Sequence, residues 1–213
     1  MTKNKKNNLT KLTNSTKRNS LDWVDDIIPE HALPEICTYQ YYKCLANRQI
    51  LINDQIDLTI VETAILPLLE MDNDGTGEPI EIILNTCGGS LFDGLAMCSV
   101  IDNLKTPTVI TVITYAYSMG GVILMAGKNN PNVTKRCYGY STGLLHAGST
   151  YLEGNSSSVK DTFNFYQKFE DKIKEYTLSH SNITEEEYSE MERREWYMTS
   201  EVMLEKGLVD YII

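Results

Sequence analysis

Three places in the sequence hold the residue types that acyl-transfer chemistry needs. Ser118 stands in Tyr117-Ser-Met-Gly-Gly, directly after a β-branched apolar run and at the start of an apolar helical stretch. A serine at such a strand-to-helix turn exposes its hydroxyl near the positive end of the helix dipole, with the N–H of Met119 beside it. His146 ends the apolar run Gly143-Leu-Leu-His-Ala-Gly. The end of a strand beside a loop is where catalytic groups gather in α/β folds. Gly88-Gly89 lie between a predicted strand and a predicted helix. Two glycines there let the backbone turn tightly and point an N–H outward, where it can bind an oxyanion. Serine is a poor nucleophile at its own pKa and needs a base such as histidine to take its proton. The carboxylate that would orient that histidine is not singled out by composition. Glu185, Glu186, Glu187, Glu190, Glu192, Glu195 and Glu201 crowd the C-terminal region, most of them as a solvated face.

Each feature alone has an ordinary explanation. A serine before a helix is a common N-cap, a lone histidine on an apolar strand is commonly a core residue, and a Gly-Gly pair is commonly a turn. His31 and His180 lie outside apolar strands and are weaker candidates. The three histidines are scattered without zinc-ligand spacing, and the five cysteines (Cys37, Cys44, Cys87, Cys98, Cys137) form no Cys-x-x-Cys pair. They read as reduced thiols of a cytosolic protein. The stretch from Asp72 to Gly77 lacks the third acidic position and the distal Glu of a calcium loop, so it reads as a plain loop.

The elements that must position these residues alternate between strand and helix periods. Gln49 to Ile56 reads as a strand with a turn. Apolar residues at Ile60, Val61, Ala64, Ile65, Leu68 and Leu69 predict a helix over Leu58 to Met71. Pro79 to Leu84 predicts a strand, Leu91 to Leu104 a helix, Thr108 to Thr114 a buried strand, and Ser118 to Ala126 a helix. Tyr138 to Ala147 contains a further strand. Val159 to Thr177 predicts a long polar-faced helix, Thr184 to Glu192 a helix opened by a Thr184/Glu187 capping box, Ser200 to Lys206 a short helix, and Leu208 to Ile213 a closing strand. This alternation implies an α/β fold with a largely parallel sheet.

Bulk properties narrow the class. The 213 residues suffice for one domain with a sizeable core, and a 42% hydrophobic content is globular. The net charge of −10 argues against nucleic acid as the main partner. The first 20 residues carry six basic side chains and no acidic one, leaving −16 for the remainder. That basic start has no apolar stretch, so it is not a secretory signal; residues 1–35 are expected to be a disordered tail and 36–213 the folded domain. No run approaches the ~20 apolar residues of a membrane helix, and a cytoplasmic location is expected.

In combination these motifs resemble the ClpP family, the proteolytic subunit of the Clp protease. Asn85-Thr-Cys-Gly-Gly-Ser is similar to its glycine loop, Tyr117-Ser-Met-Gly-Gly to its nucleophile motif, and Leu144-Leu-His-Ala to its histidine strand. Glu195-Trp-Tyr-Met-Thr-Ser and Glu205-Lys-Gly-Leu-Val-Asp are similar to its C-terminal segment. The steps of 29 residues from Gly89 to Ser118 and 49 from His146 to Glu195 fit the family, and the resemblance runs from about Arg48 to the end. It implies stacked ββα units of the ClpP/crotonase-like superfold with a protruding handle helix at Val159 to Thr177. It implies Ser118 as nucleophile, His146 as general base and acid, Glu195 as third member, and Gly89 and Met119 as oxyanion donors. It also implies hydrolysis of peptide bonds in unfolded proteins through an acyl-enzyme, with no cofactor of the chain's own.

Two stacked heptameric rings and an AAA+ unfoldase partner are implied as well, ATP being used only by that partner. The sequence departs from the family in several places. Glu195 stands where Asp is usual, and Cys87 where Pro precedes the two glycines. Glu81 stands where the family's unfoldase-docking groove has an aromatic, and Arg136 and Asn103 fall near other apolar positions of that groove. An unusual partner or mixed rings is the expectation these departures support. The rival readings are a catalytically impaired ring subunit, a crotonase-fold enzyme acting on CoA thioesters, and a Ser-Lys peptidase using Lys105 or Lys128.

Overall fold

The computed structural model describes residues 35–213. All but the last residue of the expected N-terminal tail, and His31, lie outside the described residues. The chain divides into two units, Met1–Lys43 and Cys44–Ile213. The described part of the first is the start of helix α1, Ile36–Ala46, which the sequence reading did not anticipate: none of its residues is buried, so it carries no apolar stripe to announce it.

In the second unit five strands run parallel in the order β1-β2-β3-β4-β7: β1 Gln49–Ile52, β2 Ile80–Thr86, β3 Thr108–Tyr117, β4 Val133–Cys137 and β7 Tyr211–Ile212. Strand β3 is longer than its β-branched run predicts, and the reason is topological. Its first half pairs with β4, from Thr108↔Val133 to Val112↔Cys137; its second half pairs with β5, Thr142–Leu145, from Tyr115↔Thr142 to Tyr117↔Leu144. Strand β6, Trp196–Met198, adds antiparallel to β5. Thus one strand delivers Ser118 at its end and aligns the strand that carries His146.

Helix α2, Leu66–Asn73, is preceded by a π-helical turn, Val61–Ile65. Pro67 explains it. Proline has no N–H for the α-helical ladder and its ring crowds the carbonyl four residues back, so the chain widens by a residue just before it. The helix α3, Leu91–Ile101, is capped by Ser90, and α4, Met119–Met125, is buried at every residue. Ile82, Leu84, Ile110, Val112, Ile123 and Leu124 have no exposed surface and form the centre of the core.

The long helix α5, Ser156–Ser179, buries only Thr177. Two of its contacts with the rest of the unit involve aromatic side chains. Phe165, Tyr166 and Phe169 gather around Phe92 at ring separations of 5.8, 5.5 and 4.9 Å. Near its end the Tyr176 hydroxyl donates to Asp102, 2.9 Å away, at the end of α3. Helix α6, Glu185–Met191, starts with the expected capping box: Thr184 Oγ1 accepts from Glu187 N–H, and Glu187 Oε2 accepts from Thr184 N–H. Helix α7, Ser200–Glu205, leads into β7.

One core position breaks the apolar pattern. The Lys135 side chain points inward from β4, is 1% exposed, and its ammonium has no hydrogen-bond partner among the described residues. On the same sheet, Glu81, Thr111 and Arg136 from β2, β3 and β4 form a polar network. Glu81 Oε1 accepts from Thr111 (2.7 Å) and Arg136 (3.0 Å), and Oε2 from Gln49 (2.8 Å). Burial raises the Glu81 pKa, but these hydrogen bonds and the Arg136 charge outweigh it and hold the carboxyl below its ordinary value. Asn103 is not part of this network; its amide donates to the Ser99 carbonyl at the end of α3.

Candidate active site

Ser118 sits between the end of β3 and the first residue of α4, with φ 53° and ψ −120°. A non-glycine residue at positive φ is held there by its surroundings. Its N–H donates to the Leu144 carbonyl at 2.8 Å, and its own carbonyl accepts from Gly121 at 2.9 Å. The bond to Leu144 ties the serine to the strand that carries His146. The side chains then meet, with His146 Nε2 2.8 Å from Ser118 Oγ. That separation is a hydrogen bond, short enough for direct proton transfer.

The glycine loop packs against the same turn. A methyl group on Gly88 would lie 2.6 Å from the Tyr117 carbonyl, 2.7 Å from Ser118 Cβ and 2.9 Å from Met119 N, and its φ is +94°. Only glycine allows this approach. The N–H of Gly88 donates to Thr86 Oγ1 at 3.1 Å, and that of Ser90 to the Ile56 carbonyl at 2.7 Å. Of the three successive amides, only that of Gly89 is left without an acceptor among the described residues. Met119 opens α4, so its N–H has no intrahelical acceptor either. These are the two amides expected from the sequence as oxyanion donors.

Strand pairing sets the position of Glu195. The β5–β6 register pairs Leu145 with Trp196, so one step further Glu195 comes opposite His146. Its carboxylate, however, accepts from the Tyr197 hydroxyl at 2.9 Å. Among the described residues no carboxylate hydrogen-bonds His146. Tyr197 was not singled out from the sequence. The signal was present: residues two apart on a strand share a face, so Tyr197 had to lie beside Glu195. Its ring is braced edge-on against Tyr117 at 5.9 Å, and the Tyr117 hydroxyl is 2.8 Å from Thr142 Oγ1.

A cavity of about 640 Å³ opens at Ser118 and His146 and runs between α5 and α6. Cys87 lines it and is exposed, so a thiol does stand beside the groove. His180 stands apart, at the end of α5, stacked on Tyr176 at 3.8 Å. Among the described residues no group of three or more His, Cys, Asp or Glu side chains is arranged to hold a metal ion, and no helix is long and apolar enough to cross a membrane. The arrangement offers a hydroxyl in hydrogen-bond contact with an imidazole, and two amides beside it without acceptors among the described residues.

Comparison with known proteins agrees with this geometry. The Clp protease family model matches residues 34–213. The ATP-dependent Clp protease proteolytic subunit of Deinococcus radiodurans is 25% identical over 173 residues, covering 81% of this chain and 83% of that one. The ATP-dependent Clp protease proteolytic subunit 1 of Salinibacter ruber is 23% identical over 173 residues, covering 81% of this chain and 73% of that one. The mixed α/β architecture with its parallel-dominated sheet is the ClpP fold, and the chain belongs to the Clp protease family.

Proposed function

We propose that this chain is a serine endopeptidase that cleaves peptide bonds through an acyl-enzyme. The observation that carries the reading is the 2.8 Å contact between His146 Nε2 and Ser118 Oγ. His146 takes the serine proton as Oγ attacks the carbonyl carbon. The tetrahedral oxyanion is received by the amides of Gly89 and Met119, each such donor lowering the barrier by about 2.7–4 kcal/mol. His146 then gives its proton to the leaving amine. Water enters, is deprotonated in turn, and releases the acid. Glu195 serves as the third member through its register position opposite His146. One carboxylate oxygen is held by Tyr197 and the other is available to the imidazole.

Assembly follows the family. Two stacked heptameric rings enclose the active sites, and α5 lies between the rings as the handle helix. An AAA+ unfoldase supplies unfolded chains. The Glu81–Arg136–Thr111 network supports a partner that docks by polar contacts rather than by an apolar anchor. The Glu195–Tyr197 hydrogen bond is the observation that favours the rival reading, a ring subunit without catalysis. A fluorophosphonate probe separates the two. Labelling of the full chain that disappears in Ser118→Ala supports the peptidase. An assembled oligomer that takes no label supports the scaffold.

A further inference from the structure

The glycine loop carries three successive amides, and one buried side chain decides which of them is free. Thr86 is the last residue of β2 and has no exposed surface. Its hydroxyl donates to the Asp54 carbonyl at 2.6 Å. A hydroxyl has a single proton, so this bond leaves only its lone pairs to face the loop. There Thr86 Oγ1 accepts from the Gly88 N–H at 3.1 Å. Ile56 holds the loop as well: its N–H donates to the Gly88 carbonyl at 2.9 Å, and its carbonyl accepts from Ser90 at 2.7 Å. The amides of Gly88 and Ser90 are thereby committed. Gly89 lies fixed between them, with its N–H unused among the described residues.

The same side chain reaches the second oxyanion donor. In the sheet Thr86 pairs with Ala116 of β3, two residues before Ser118. Its methyl group faces α4, where a methyl group on Gly120 would lie 2.6 Å from Thr86 Cγ2. Gly120 directly follows Met119. The Thr86 hydroxyl thus sets the amide of the glycine loop, and its methyl group abuts the turn that carries the other amide. Thr86 does not line the cavity, so its effect on the reaction passes through these backbone groups.

We propose that Thr86 is a positioning residue for the oxyanion site: by engaging the Gly88 N–H, its hydroxyl holds the Gly89 amide toward the substrate carbonyl. The proposal rests on the acyl-enzyme reading with Ser118 as nucleophile. It adds to that reading a side chain that preorganises the site without touching the substrate.

The test uses the full assembled chain and two pairs of proteins that differ within each pair by the hydroxyl: wild type against Thr86→Val, and Thr86→Ser against Thr86→Ala. The second pair adds no bulk to the core and decides the matter if Thr86→Val does not assemble. On a fluorogenic peptide, loss of the hydroxyl should lower kcat about 10²-fold in each pair, with KM within about twofold, because the oxyanion exists only beyond the ground state. Thr86→Ser should keep kcat within about threefold of wild type. Inhibition by a peptide aldehyde, whose adduct with the serine carries the same tetrahedral oxygen, should weaken by about the same factor as kcat. Equal kcat within a pair, a loss carried by KM, or unchanged aldehyde inhibition overturns the role of Thr86. Fluorophosphonate labelling of the wild type that vanishes in Ser118→Ala leaves the peptidase standing in those cases. A wild type that takes no label overturns both.

Discussion

Lys135 offers the sharpest test of the core. Its ammonium is buried without a hydrogen-bond partner among the described residues, and burial pushes its pKa from 10.5 down to about 8, an effect that Asp210 and Asp102 only partly counter. In the unfolded chain the lysine returns to its ordinary value. Below pH 8 the folded protein therefore bears the full penalty, about 3 kcal/mol at pH 7. Between about 8 and 10.5 the unfolded chain binds more protons than the folded one, so this contribution raises stability as pH increases. Lys135→Met keeps an unbranched stem and removes the charge. The variant is expected to be more stable by about 3 kcal/mol at pH 7 and by about 2 kcal/mol at pH 9, with the gain vanishing near pH 11. Other buried groups titrate in the same range with the opposite sign. The Cys98, Cys137 and Tyr188 pKa values are raised by burial to about 12, 11 and 12, so these groups ionise first in the unfolded chain and favour it. The readout is therefore the variant minus wild-type difference in urea unfolding, taken at fixed subunit concentration and at each pH. A variant no more stable at pH 7, or a gain that stays constant to pH 11, refutes the argument.

Three further outcomes are expected around the site. Gly88→Ala should lower kcat/KM by at least about 10²-fold, because its methyl group displaces the Ser118 turn and the Met119 amide; peptide kinetics and probe labelling check this. Tyr197→Phe should lower kcat/KM about fivefold, because the Glu195 carboxylate loses the donor that restrains it; peptide kinetics with probe labelling check it. Thr184→Ala removes one half of the capping box and should destabilise α6 by about 1 kcal/mol, read as faster amide exchange in Glu185–Met191.

Much of the site was legible in the sequence because each of its parts is tied to a period change. Ser118 follows a β-branched run and precedes a helix, and Gly88-Gly89 follow another strand, so their positions at strand ends could be read directly. What could not be read was contact. Nothing in the period of either segment says that β5 pairs with the second half of β3, yet that pairing brings His146 to Ser118. Strand β4 was missed for a different reason. Val133, Lys135 and Cys137 are its inward residues, and a lysine at an inward position disguises the alternation that marks a strand. Strand β6 has only three residues, too few to show a period beside the acidic stretch before it.

The pairing of Glu195 with Tyr197 follows from geometry once a glutamate occupies that position. Its carboxylate stands one methylene further from the backbone than an aspartate's, so it sweeps a larger volume and holds a fixed orientation toward His146 only if something restrains it. A phenylalanine two residues along would pack without restraining it, whereas a tyrosine offers a donor on the same face of the strand. The Tyr197 hydroxyl donates to one oxygen of Glu195, and its ring is held against Tyr117, the residue that precedes Ser118. Ser118, His146 and Glu195 are thereby linked through β3, β5 and β6, and Ser118 and His146 through their side chains as well. On this reasoning Glu195→Asp alone would fall short of Tyr197, and the double variant Glu195→Asp/Tyr197→Phe should recover more activity than the two single losses predict. Strictly additive losses in that double-mutant cycle would show that the tyrosine does not position the acid.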